Sequence, residues 1–345
     1  MNATVPASAD DEGRPRLLLT MLGAMAVSVV LYALLFGLLL HKPLSVGTIR
    51  DYFELKTARA AALPSPKLVF LGGSNVRFGL SCALAERETG TPCVNAGFLA
   101  DVGMDLMAEK FEPLLKRGDV VYIPLAYEQY LWSQAFMETQ RDAAYLFTYD
   151  RETLLQMPAS RQLHSLFYFN LPYIVSSVAE TALAAAGKRR KAGGTRLFGA
   201  QNLNAWGDET GHNAEQARDY AEIIARAPAK APTVENFAPQ HYYYTQRLEA
   251  LLDWARQQGV TVIGGLPQTV DEFTIPDEVI ARVRAIFESR GQPFIELPNR
   301  SQYPRNCFFD SLYHLTEECQ QRHTQDLLPS LKRWLPPMSA GPSGE

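Results

Sequence analysis

No C-x-x-C pair occurs anywhere in the chain's 345 residues, and there are only four cysteines, Cys82, Cys93, Cys307 and Cys319. Zinc fingers and ribbons built on paired thiolates are therefore excluded. There is no G-x-x-x-x-G-K-[ST] and no G-x-G-x-x-G, so the two common glycine-rich phosphate cradles are absent as well. Positive charge is not in excess: 33 Lys and Arg stand against 37 Asp and Glu, for a net charge of −4. A dedicated nucleic-acid binder would be basic overall or carry a clear basic face. No internal repeat is visible. Between residues 17 and 40, LLLTMLGAMAVSVVLYALLFGLLL, there is no charge at all.

That last absence is informative. About 20 apolar residues cross a bilayer as a helix, and this run is longer than a signal-peptide core of about 7–15 residues. His41-Lys42-Pro43 follows, with no small-x-small cleavage site. The reading is an uncleaved anchor at 17–40 preceded by a cytoplasmic tail, residues 1–16. Arg14 and Arg16 before the run balance Lys42 and Arg50 after it, so charge does not fix the orientation. The cysteines form two locally spaced pairs. Two short-loop disulfides, suited to an oxidising compartment, and four buried thiols are both compatible with that spacing.

Hydrophobic residues make up 47% of the chain, enough for one large core. Residues 43–63 read as a partly helical juxtamembrane segment, punctuated by Pro64 and Pro66. LVFL (68–71) is a short apolar run bounded by glycine, the pattern of a strand buried on both faces. PCVNAGF supplies a second strand ending at Asn95-Ala96-Gly97, followed by VVYIPL (120–125), VTVIGGL (260–266) and PFIEL (293–297). Helical patterns lie between them at 80–89, 102–116, 243–258 and 277–288, with a last helix at 316–334. This alternation predicts an α/β fold, a three-layer doubly wound parallel sheet over 64–334. Residues 131–240 interrupt it and read as a helical insertion. The run Lys188-Arg189-Arg190-Lys191 within it is a solvated loop or a contact for anionic headgroups. Residues 335–345 read as a disordered tail.

A doubly wound sheet keeps its site at the C-terminal ends of its strands. Ser74, in GGSN after the first strand, and Gly97, after the second, both fall there. A serine nucleophile needs a base, and the base needs an orienting group. Of six histidines, His314 alone has an acid close by in a loop-like setting, FFDSLYHLTEE, with Asp310 four residues earlier. Singly, each has a plainer role: Ser74 as a helix N-cap, Asp310 as the cap of a turn, His314 as a structural histidine, Gly97 as a residue of positive φ. Arg77 reads as an ion-pair partner, and Tyr127, Glu128 and Tyr130 as packing or rim residues. Asp208 and His212 are spaced i, i+4, but two ligands do not make a metal site, and no metal is expected.

Taken together, GGSN (72–75), NAG (95–97) and DSLYHL (310–315) resemble the SGNH (GDSL-type) hydrolase superfamily over about residues 65–130 and 243–334. More narrowly, the sequence resembles the membrane-anchored, envelope-facing branch, which includes proteins acting in O-acetylation of alginate and bacterial cellulose and the D-alanyl transfer protein of teichoic acid synthesis. The resemblance implies Ser74 as nucleophile, His314 as base, Asp310 as its orienting acid, and the N–H groups of Ser74 and Gly97 as oxyanion donors. Two features depart from the pattern. The usual asparagine of a G-x-N-D block is missing where the chain reads IPLAYEQY (123–130), leaving Asn75, Asn202 or Asn204 to stand in. The acid and the base are four residues apart where the family has three.

The implied activity is that of a membrane-anchored periplasmic serine acyltransferase or esterase, transferring an O-acyl group, acetyl first of all, to an envelope or extracellular polysaccharide. The implied partners are the inner membrane, the polysaccharide and a membrane acyl-donor protein. Neither a diffusible cofactor nor a nucleic acid is implied. Two alternatives stand beside this reading: a plain carbohydrate esterase or deacetylase, and a non-catalytic scaffold of a polysaccharide export or modification complex.

Overall fold

The computed structural model describes residues 13–35, 44–138, 141–166, 199–228 and 230–336, with a few positions between 167 and 198. Residues 1–12 of the expected tail 1–16, residues 36–40 of the expected anchor, the basic run at 188–191 and residues 337–345 lie outside the described residues, and of the expected disordered tail 335–345 Leu335 is buried in the core.

Helix α1 (Gly13–Leu35) contains one stretch, Pro15–Leu35, long and apolar enough to cross a membrane, and none of it is buried in the protein. Helix α2 (Leu44–Ala62) runs unbroken where the sequence promised only partial helix. Its burial explains this. Ile49, Tyr52, Phe53, Lys56 and Ala60 all point inward, one stripe at helical spacing.

The strands are β1 (Leu68–Gly72), β2 (Cys93–Gly97), β3 (Val120–Ile123), β4 (Thr261–Gly265), β5 (Thr269–Val270), β6 (Phe294–Ile295) and β7 (Gln302–Tyr303). Five of them form one parallel sheet in the order β2-β1-β3-β4-β6. β5 and β7 make a separate parallel pair, which two-residue strands are too short to announce in sequence. β1 lies between β2 and β3, so the chain turns to one side after β1 and to the other after β2. The crevice this leaves at the carboxyl ends of β1 and β3 is where open α/β sheets hold their ligands.

The main helices after α2 are α3 (Ser74–Gly79), α4 (Cys82–Thr89), α5 (Met104–Phe111), α6 (Tyr243–Gln258), α7 (Asp277–Glu288) and α8 (Glu317–Leu331). Alternate residues of each strand face opposite layers. Val69, Leu71, Val94, Val121 and Val262 pack with α2, α5, α6 and α7. Leu68, Phe70, Val120, Tyr122 and Ile263 pack with α4 and α8. Each fully buried side chain of this kind contributes about 1.5–3 kcal/mol.

Helix bounds shift for local reasons. Ser81 caps α4, its hydroxyl accepting from the Leu84 N–H at 3.2 Å, so that helix begins at Cys82 and leaves 74–79 to α3. α5 ends at Phe111 and passes into a 3₁₀ turn, Glu112–Leu114, because Pro113 has no N–H to continue it. The described part of the insertion is largely short helices, among them Arg141–Tyr149, Arg151–Gln156, Ala159–Leu166 and Ala221–Arg226. Both cysteine pairs are bonded, Cys82 to Cys93 and Cys307 to Cys319.

Candidate active site

β1 ends at Gly72. Gly73 takes the cap position with an extended backbone, and Ser74 is the first residue of α3. Ser74 is therefore not the helix cap. A helix's first N–H groups have no acceptor inside the helix, so the Ser74 N–H has none within α3. Gly73 is closely hemmed in. A Cβ there would lie 3.2 Å from Gln129 Nε2 and 3.3 Å from Ala100 Cα. The next turn of α3 crosses β2 so tightly that a Cβ on Gly97 would lie 2.3 Å from the Arg77 nitrogen.

Asp310 and His314 sit on one pinned loop. A bridge pairs Phe308 with Leu315, the Phe309 N–H donates to the His314 carbonyl at 2.8 Å, and the Thr316 N–H donates to the Cys307 carbonyl at 2.7 Å. The Cys307–Cys319 bond ties this loop to the first turn of α8, which the Thr316 hydroxyl caps. His314 Nε2 lies 2.7 Å from Ser74 Oγ, and His314 Nδ1 lies 2.6 Å from Asp310 Oδ1. An ionised carboxylate only accepts hydrogen bonds, so the ring proton belongs on Nδ1 and Nε2 is left to accept from the serine hydroxyl. The imidazole stacks on Phe78 of α3, with ring centroids 4.3 Å apart. The four-residue spacing, doubtful in sequence, presents no geometric obstacle.

Two expected oxyanion donors are engaged elsewhere. The Gly97 N–H donates to the Asn95 side-chain oxygen at 2.9 Å, because Asn95 folds back under α3 and also donates to the Leu80 carbonyl at 2.8 Å. Gly97 is required for the close approach of α3, and its φ is not positive. Asn75 donates to the Pro124 carbonyl at 2.5 Å and so ties α3 to the end of β3. Asn204 is committed to its own turn, accepting from the N–H groups of Trp206 and Asp208. The sequence reading passed over Gln129. Its amide donates to the Ala100 carbonyl at 3.1 Å and to the Tyr244 hydroxyl at 3.2 Å, holding the loop after β2 against Gly73. The only sequence signal for it was its place just after the third strand.

Behind α3 lies a buried polar network. Arg77 pairs with Glu209 at 3.4 Å, bonds the Tyr52 hydroxyl, and lies over the rings of Tyr52 and Phe78. Lys56 donates to the carbonyls of Asn95 (2.6 Å) and Gly207 (2.7 Å). Burial, reinforced by the Arg77 charge, pushes its amine down to about 7. Asp208 caps α4, accepting from the N–H groups of Cys82 (2.7 Å) and Ala83 (2.9 Å). His212 is buried edge-on to Phe78 and Phe309. At the rim, the Tyr313 hydroxyl donates to Glu128 at 2.7 Å; burial, then the Glu128 charge, raises that phenol and keeps it protonated.

A serine hydroxyl, an imidazole and a carboxylate in a hydrogen-bonded line can generate an oxygen nucleophile and return a proton to a leaving group. Neither a family model nor a curated protein matches the chain.

Proposed function

We propose that the protein is a membrane-anchored SGNH-type serine acyltransferase or esterase whose globular domain faces the periplasm. The observation that carries this reading is the line Ser74 Oγ to His314 Nε2 to Asp310, at 2.7 and 2.6 Å. Ser74 Oγ attacks an acyl carbonyl while His314 takes its proton, and the tetrahedral oxyanion accepts from the Ser74 N–H and from the loop backbone at Ala100, held against Gly73 by Gln129. Collapse transfers the proton from His314 to the departing group and leaves an acyl-serine. A sugar hydroxyl or water then attacks this ester, giving its proton to His314, and the acyl group departs as Ser74 recovers its proton. Asp310 holds the imidazole in one tautomer through both halves.

The apolar α1 supports the anchor, and the two disulfides favour an oxidising compartment. Polysaccharide as acceptor and a membrane protein as acyl donor rest on the resemblance. The test is a fluorophosphonate probe on the full chain in detergent, with the adduct mapped by peptide mass. Modification of Ser74, lost in His314→Ala, supports the reading; labelling of other serines alone refutes it.

A further inference from the structure

Two leucines of the insertion stand in the open, Leu155 at 71% exposure and Leu163 at 57%. Leu155 belongs to the helix Arg151–Gln156 and Leu163 to the helix Ala159–Leu166. Gln162 donates to the carbonyls of Leu155 at 3.2 Å and Met157 at 2.9 Å, so both leucines occupy one end of the insertion.

That end lies beside the start of α2. The helix Arg141–Tyr149 packs along α2 in the opposite sense: Tyr145 stacks on Phe53 at 5.2 Å, and one turn later Tyr149 lies under the Arg50 guanidinium at 5.0 Å. It therefore runs toward the N-terminal end of α2, and Asp150, which caps the Leu155 helix, is reached there. Only His41, Lys42 and Pro43 separate Leu44 from the apolar run that ends at Leu40. Those four chain steps span at most about 14 Å, and Leu44 to Arg50 adds about 9 Å along the helix. With α1 across a bilayer, Arg50 lies within about 23 Å of the hydrocarbon edge, of which the headgroup layer takes roughly 5–8 Å, and the Leu155 helix begins two residues after the Tyr149 that Arg50 covers.

We propose that the Leu155/Leu163 end of the insertion rests in the interface of the leaflet next to α2, with a phospholipid surface as its occupant. The two leucines enter the headgroup–acyl boundary as interfacial helices do, and Arg151, exposed beside them, meets phosphate oxygens. Acidic Glu152, Asp51 and Glu54 share the same end, so apolar insertion carries the contact and net charge does not. The proposal rests on the anchor reading above and is independent of the acyl chemistry.

The test uses the full chain in phosphatidylcholine vesicles, with an environment-sensitive nitrobenzoxadiazole label on Leu155→Cys or Leu163→Cys. All four native cysteines are paired, so the added thiol reacts alone. Ser289→Cys, exposed next to α7 and β6 at the far edge of the sheet, is the control. The expected result is blue-shifted emission at 155 and 163, quenched by lipid carrying a nitroxide near the top of its acyl chain, with neither change at 289. Emission at 155 and 163 matching that at 289, in protein that floats with the vesicles, overturns the proposal while leaving the anchor standing. A blue shift without lipid quenching assigns the leucines to another protein surface and overturns it too. Failure to float removes the anchor and the proposal together.

Discussion

The imidazole of His314 lies flat on the ring of Phe78, with centroids 4.3 Å apart and planes 13° from parallel. Phe78 belongs to α3, the helix that Ser74 begins, so the helix of the proposed nucleophile also carries the platform for the proposed base, 240 residues from Ser74. Hydrogen bonds hold the imidazole at both nitrogens, and the ring fixes its tilt. Phe78→Ala frees that tilt and is expected to slow serine acylation on the order of 10²-fold, the scale of a 1 Å misplacement. Phe78→Tyr keeps the platform and most of the rate. Rapid-mixing kinetics on protein checked for folding by circular dichroism measures both, since Phe78 is buried and its truncation also costs stability.

Asp310→Asn preserves shape and removes the charge that selects the His314 tautomer. The expected loss in acylation rate is about 10⁴-fold, as for the equivalent change in a serine protease, with little change in thermal midpoint because Asp310 is partly exposed. A loss under about tenfold, too small for a broken triad, would assign Asp310 to turn capping.

The Cys307–Cys319 bond closes a short loop whose contents include both Asp310 and His314. The double substitution to serine is expected to cost about 2–4 kcal/mol of stability and to lower activity further through disorder of the base loop. Replacing Cys82 and Cys93 likewise costs stability but leaves the base loop intact. Urea titration and activity, measured on both double variants, separate the two bonds.

His323 is fully buried in α8, its Nδ1 2.9 Å from the Tyr303 hydroxyl, and burial pushes its imidazole down to about 3 from an ordinary 6.5. The unfolded chain takes up a proton between those values and the folded chain does not, so this group destabilises the fold as pH falls. Its contribution is complete above pH 6.5 and lost at a slope approaching 1.4 kcal/mol per pH unit toward pH 3. His323→Gln is expected to flatten that part of the stability curve. Urea unfolding of both proteins across the window is the check; parallel curves would contradict it.

The parallel sheet was legible because β1 to β4 are buried on both faces and so read as unbroken apolar runs. β6 is an edge strand of two residues, and β5 and β7 are shorter than any periodicity. The meeting of Ser74 with Asp310 and His314 was legible only in outline, since Ser74 follows β1 of the main sheet whereas Asp310 and His314 follow β7 of the separate pair. The engagement of the Gly97 N–H was not. It donates to the Asn95 side-chain oxygen, and Phe98, donating to the Gly72 carbonyl at 2.9 Å, turns the chain and brings Ala100 against Gly73. Nor was the docking of α2, which depends on Tyr52 and Lys56 finding Arg77, Asn95 and Gly207, residues distant in the chain.

The acyl-serine itself is the most direct object to look for. The full chain in detergent is mixed with p-nitrophenyl acetate, following nitrophenol release and intact mass beside Ser74→Ala and His314→Ala. A working triad gives a burst of nitrophenol and an acetyl adduct on Ser74, with both absent from Ser74→Ala and the burst abolished in His314→Ala. Equal release from all three proteins and no adduct would contradict the enzyme and leave a scaffold that merely shares its geometry.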